Sequence, residues 1–122
     1  MKRIMNKITV LAVRPDEAPE MIELEDNLRA MQDFVGGNIE AVRPWGDDVI
    51  IVCDEEAVLK QTPPNRLILH PSGDVCCVIC GPFFLCLAPR NSEVFMSLPC
   101  MMADRCMPLM LAPVCSMEVC DE

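Results

Sequence analysis

The run Ile8-Thr9-Val10-Leu11-Ala12-Val13 constrains this chain more than any other feature. It offers almost no polar face to water, so Lys7 to Arg14 reads as a strand buried on both faces, ended by Pro15 and the turn former Asp16. A return strand is expected over Pro19–Glu25. There Ile22 and Leu24 point one way while Met21 sits with Glu23 and Glu25, the alternation of a half-buried strand. The two segments predict a hairpin.

The next signals are helical. Asp26 or Asn27 can cap a helix in which Leu28, Met31, Phe34 and Val35 recur at helical spacing, and Gly36-Gly37 supplies the positive-φ stop. Ile39 to Arg43 and Val49 to Cys53 then predict a second hairpin around Pro44-Trp45-Gly46-Asp47. Glu55 to Lys60 fits one helical turn ended before Pro63-Pro64. A third hairpin is expected from Leu67-Ile68-Leu69, the turn His70–Asp74 and a longer strand, Val75 to Leu87, which Gly81-Pro82 interrupts at an edge or bulge.

The character changes from Ala88 onward. Residues 96–122 hold six Met and four Cys. Ser97 could cap a helix carrying Pro99, Met101, Met102, Arg105 and Cys106, limited by Pro108 and Pro113. Cys115 to Glu122 show no clear periodicity. The 122 residues suit one domain, with 88–122 as a Met- and Cys-rich segment packed on it or partly frayed. The fold class is α+β: a small, mostly antiparallel sheet built from hairpins in β-β-α-β-β-β order, one central helix and a C-terminal helix covering the sheet. The strand-strand-helix-strand-strand order is similar to that of the β-grasp.

Composition narrows the functional classes. Aromatic residues make up 4% against 52% apolar, so Ile, Val, Leu, Met and Cys must fill the core. A formal charge of -9 argues against direct nucleic-acid binding, which needs Lys and Arg against phosphate; it suits a basic partner, a mimic of the phosphate backbone, or simple solubility. Met1-Lys2-Arg3 resembles the charged start of a signal peptide, but the apolar run behind it is too short for export, and no stretch is long enough to span a membrane. The expected location is cytoplasmic, with the nine cysteines as thiols.

Several residues could carry chemistry. Cys77 and Cys80 have CxxC spacing, yet on a strand they point to opposite faces, while Cys76 and Cys80 share a face with Val78. The pairs Cys100/Cys106 and Cys115/Cys120 lack the short zinc spacing, although soft Met and Cys ligands would favour copper(I). His70, the sole histidine, could reach Cys76 or Cys77 across its turn. Asp54, Glu55 and Glu56 could serve as acid and base or hold a hard cation. One of them is expected to pair with Arg66 and pin the intervening loop. Pro64-Asn65 fits a type II turn presenting Arg66, whose planar fork could clamp a phosphate or carboxylate. The sequence contains no phosphate-binding glycine loop, dinucleotide fingerprint, zinc-protease motif or nucleophile elbow. Ligand-binding candidates are therefore Arg66, Asn65, Asp54 and Arg43, with no cofactor and no catalytic residue assigned.

Val35-Gly36-Gly37-Asn38-Ile39-Glu40, Cys53-Asp54-Glu55-Glu56-Ala57, Thr62-Pro63-Pro64-Asn65-Arg66 and Gly81-Pro82-Phe83-Phe84 together resemble the family known as domain of unknown function 3846. The resemblance covers about residues 7–87. It implies a small accessory protein of a phage or conjugative element, assigns no active site, and leads one to expect a charged, polar C-terminal helix where this chain has its Met- and Cys-rich segment. The expected function is non-catalytic binding of a protein or a small anionic ligand, with a homo-oligomer allowed by any apolar face left on that segment. Sharper versions are an acidic decoy for a DNA-binding defence protein, or a nucleotide-sequestering protein with Arg14, Arg43 or Arg66 facing a pocket. A cysteine-dependent enzyme and a soft-metal protein are the competing classes.

Overall fold

The doubly buried strand is present as β1 (Lys7–Val13) in the computed structural model, which describes residues 6–91 and 94–112. Its remaining elements are β2 (Glu20–Glu25), α1 (Leu28–Val35), β3 (Ile39–Val42), β4 (Val49–Asp54), β5 (Pro64–Leu69), β6 (Val75–Cys80), β7 (Phe83–Leu87), α2 (Cys100–Cys106), a 3-10 turn (Met107–Leu109) and β8 (Met110–Leu111). The class is α+β, with two antiparallel sheets ordered β2-β1-β7-β4-β3 and β6-β5-β8.

Period-two alternation in three central strands explains the layering. Val10, Ile50, Val52, Phe84 and Cys86 point to one face of the larger sheet, where Met31 and Val35 of α1 cover them. Leu11, Val13, Val49, Ile51, Phe83 and Leu85 point to the other, against Ile68 and Ile79 of the smaller sheet and Ala103 and Cys106 of α2. Each fully buried Phe, Leu or Ile here contributes about 1.5–3 kcal/mol relative to exposure, so this double layer dominates the stability of the fold. Phe34 adds an edge-to-face contact with Phe84, with ring centroids 5.8 Å apart.

Local signals account for the helix. The Asn27 side chain accepts from the Ala30 N–H at the N-cap, and Gly36 ends α1 with φ 92°, a left-handed conformation that glycine adopts without penalty. Leu28, expected on the buried face, is 57% exposed; in the first turn it borders a groove with Val94 and Phe95 instead of the sheet.

Three expectations about the second half are corrected. Val75 to Leu87 is not one interrupted strand: Gly81, at φ 76°, and Pro82 carry the chain from β6 in the smaller sheet to β7 in the larger. There β7 lies between β1 and β4, antiparallel to both, whereas a β-grasp-like sheet of the four N-terminal strands would set β1 beside β4. Ser97 does not cap α2. Its hydroxyl accepts from the Thr9 N–H, joining the C-terminal segment to β1, and Pro99 holds the N-cap position without a side-chain bond. Pro113 and the segment Cys115–Glu122 lie outside the described residues.

Candidate functional site

The larger sheet is wider than the layer facing it on the β3 side. Among the described residues β3 pairs only with β4 and β6 only with β5, so each is an edge strand. Between them runs a cleft of about 220 Å³. Glu40 and Val42, two residues apart on β3, turn into it with Cys53, the register partner of Glu40. On the other side it is lined by four consecutive residues, Cys77 to Cys80. Successive strand residues point to opposite faces, so an unbroken run of four means that the cleft follows the free backbone edge of β6.

Two of the usual protections are missing from that edge. Natural edge strands are blunted by charge, proline or a covering element, and Val-Cys-Cys-Val-Ile-Cys has neither charge nor proline. Val78, at 49% exposure, and Val58, at 78%, stand at the rim beside Glu40 and Glu55. An apolar floor, an open strand edge and an acidic rim can accept an extended segment bearing positive charge.

The rim turn, Glu55–Gln61, is held by Asp54. Its carboxylate contacts Lys60 Nζ at 2.6 Å and accepts from the Glu56 N–H at 2.9 Å, while Lys60 also donates to the Gly36 carbonyl at 3.1 Å. The Glu55 N–H donates to Asn38 O. A Cβ on Gly37 would lie 2.8 Å from Asp54 Oδ1, so a side chain there would displace the pair. Burial raises the Asp54 carboxyl, but the Lys60 hydrogen bond, the Glu56 N–H and the Lys60 charge outweigh it and hold the group below its ordinary 3.8. A depressed carboxyl stabilises the fold above its unfolded value and loses that contribution as pH falls through the folded one. Acid titration is therefore expected to weaken the fold below pH 3.8. Asp54→Asn is expected to cost about 1–3 kcal/mol at neutral pH and to remove this part of the acid dependence, as read from urea midpoints across pH.

Asn65 and Arg66 form a second node. Pro64-Asn65 is not a type II turn: both residues lie in β5, and the register with β6 shifts at Asn65, which takes the place of a bulge. Asn65 is 1% exposed and donates through Nδ2 to Val13 O at 2.9 Å and Gly81 O at 2.8 Å. Arg66 pairs with neither Asp54 nor Glu56. Its guanidinium donates to Asn65 Oδ1 and to the carbonyls of Asn65 and Glu17, and burial lowers its pKa against the opposing pull of Asp16. The node ties the end of β1, the crossing at Gly81 and β5 to one another. Proline-asparagine is so common in turns that local sequence gave no sign of a buried amide.

Arg43 and Arg14 are also engaged within the fold. Arg43 donates to the carbonyls of Asp47 and Ala88, at 2.8 and 2.9 Å. Arg14 pairs with Glu20 at 3.4 Å and lies over the Phe34 ring. Asp54 thus borders the cleft, while Asn65, Arg66 and Arg43 do not.

Burial, first of all, pushes Cys53 and Cys86 up to about 12 and Cys77 and Cys106 to about 11, which keeps them protonated at neutral pH. Cys77 and Cys80, expected on opposite faces, both border the cleft because it follows the strand edge. Cys76, expected beside exposed Val78, packs against the core with Cys77 where the β5–β6 register shifts. The His70 N–H donates to Asp74 O, and Cys76 Sγ lies 3.5 Å from Pro44 O. Among the described residues no three His, Cys, Asp or Glu side chains gather so as to hold a metal ion, and no helix is long and apolar enough to cross a membrane.

No curated protein and no solved structure matches the chain. The family model described as domain of unknown function 3846 matches residues 8–108. The match runs past Leu87, where the likeness was expected to end, through α2 and into the 3-10 turn, so that stretch of the Met- and Cys-rich segment falls within the family's span. The chain therefore belongs to the family described as domain of unknown function 3846.

Proposed function

We propose that this protein is a non-catalytic binding protein that takes up an extended, basic segment of a partner protein as an added strand along β6, over the inner face of β3. The observation that carries the reading is the cleft itself, which follows an uncharged free strand edge and is rimmed by Glu40 and Glu55. Main-chain hydrogen bonds to the edge would give affinity, and alternate side chains would meet the apolar floor and the acidic rim. The net charge of -9 supports association with a basic partner. An accessory role in a phage or mobile element, acting in the cytoplasm, fits the family resemblance and the free cysteines at seven described positions.

Fluorescence anisotropy with a labelled peptide of alternating lysine and valine tests this. The lysine peptide is expected to bind, and an alternating glutamate–valine peptide is not. Val78→Lys and the double change Glu40→Lys/Glu55→Lys are each expected to weaken binding at least tenfold, while Glu23→Lys on β2 leaves it unaltered. Equal affinity for both peptides, or equal loss in the β2 variant, would show generic charge attraction instead.

A further inference from the structure

A second cavity, of about 340 Å³, lies away from the strand edge. It opens between the β3–β4 turn, the β5–β6 turn and the C-terminal helical segment. Val49 and Cys106, both buried, line its interior; Trp45, Met102 and Leu109 form walls, and Asp47 and Arg105 carry the charges. Its size falls within the range of small-molecule sites, and so does its character, mostly apolar with few polar groups.

The wall is built before any ligand arrives. Trp45 Nε1 donates to Leu69 O at 2.7 Å, which fixes the indole and commits its only polar atom, so the ring offers apolar surface. The turn carrying it is braced twice more, by Arg43 on Asp47 O and by Arg90 on Gly46 O. Preformed walls spare a ligand the cost of ordering them.

The two charges are not equivalent. Asp47 Oδ1 already accepts from the Val49 N–H at 3.1 Å. Arg105 has no hydrogen bond or ion pair among the described residues, and it is not paired with Asp47. Burial first and Asp47 second raise the pKa of the Cys106 thiol at the cavity wall, and Arg105 opposes them. An exposed, unengaged guanidinium at the mouth of an apolar cavity can receive the two oxygens of a carboxylate while an apolar body lies against Trp45 and Met102.

We infer that this cavity binds a small molecule with a flat apolar body and a single carboxylate, the body against Trp45 and the carboxylate on Arg105. This site is independent of the strand edge. The chain has one tryptophan and no tyrosine, so its intrinsic fluorescence reports on this cavity alone.

The test uses three isosteric probes, biphenyl-4-ylacetate, 2-(biphenyl-4-yl)ethanol and 2-(biphenyl-4-yl)ethylamine, followed by Trp45 emission and the indole N–H resonance. The carboxylate is expected to bind at least tenfold more tightly than the alcohol, and the amine more weakly than either. Arg105→Ala, at an exposed position, is expected to abolish the advantage of the carboxylate while leaving alcohol binding within twofold. Equal binding of the three probes, or an Arg105→Ala protein that still prefers the carboxylate, overturns the assigned ligand class. An indole signal that responds to none of them overturns the site.

Discussion

Raising the pH above 9 is expected to destabilise this protein steeply. Cys53 and Cys86 are buried with pKa values near 12 against an ordinary 9.0, so the folded state keeps protons that the unfolded chain releases. The stabilisation is full below the unfolded value and is lost as pH rises through the folded one. Each such thiol removes about 1.4 kcal/mol per pH unit in that window. Two together remove about 3 kcal/mol per unit, and Cys77 and Cys106, near 11, steepen the fall. Against a total of about 5–15 kcal/mol for an ordinary domain, a loss on this scale removes a large share of the stability by pH 11. Urea titrations from pH 7 to 11 measure it. A Cys53→Ala/Cys86→Ala protein should lose stability at pH 7 through the cavities it creates, yet show a distinctly shallower slope above pH 9. A slope equal to the parent's would mean that these thiols are not what the alkaline range titrates.

Removing the Asn65 amide is expected to cost about 2–4 kcal/mol, because Asn65→Ala strips donors from two buried carbonyls and an acceptor from a buried guanidinium. Arg66→Ala should cost a similar amount, since it leaves Asn65 Oδ1 and Glu17 O without their donor. The double variant should cost clearly less than the sum, as expected for two members of one network. Denaturant midpoints of the four proteins give the cycle. Additive effects, or single losses below about 0.5 kcal/mol, would show that the node does not couple the two sheets.

The parts of this fold that local sequence makes legible are those set by short-range pattern. Ile8 to Val13 announces a strand covered on both faces, and that burial is what the two layers supply. Asn27 and Gly36 mark the limits of α1 because a side-chain cap and a left-handed glycine are local chemistry. The first two hairpins follow from alternation and turn residues, and their pairing is as expected. The insertion of β7 between β1 and β4 is different in kind. It joins strands more than thirty residues apart, and nothing within Phe83–Leu87 says which neighbours it will choose. The Gly81-Pro82 interruption was visible, but a bulge and a change of sheet look alike at that scale.

The candidate site was legible only in part. Of Asp54, Glu55 and Glu56, singled out together, the first two border the cleft and Glu56 does not, and what makes it a cleft is the width of one sheet against another, a tertiary quantity. Arg66 and Asn65 stood out for the same reason that any Pro-Asn-Arg does, and the fold spends them on its own carbonyls. Arg105 and Trp45 stood far apart in the sequence, so the cavity they share appears only once the C-terminal segment is docked.

The open edge of β6 carries the central claim, and amide hydrogen exchange tests it most directly. With the lysine–valine peptide bound, added main-chain hydrogen bonds should slow exchange within Val75–Cys80, with a smaller effect across the facing strand Ile39–Val42 and none in β2. Exchange in Val75–Cys80 that is the same with and without bound peptide would contradict it.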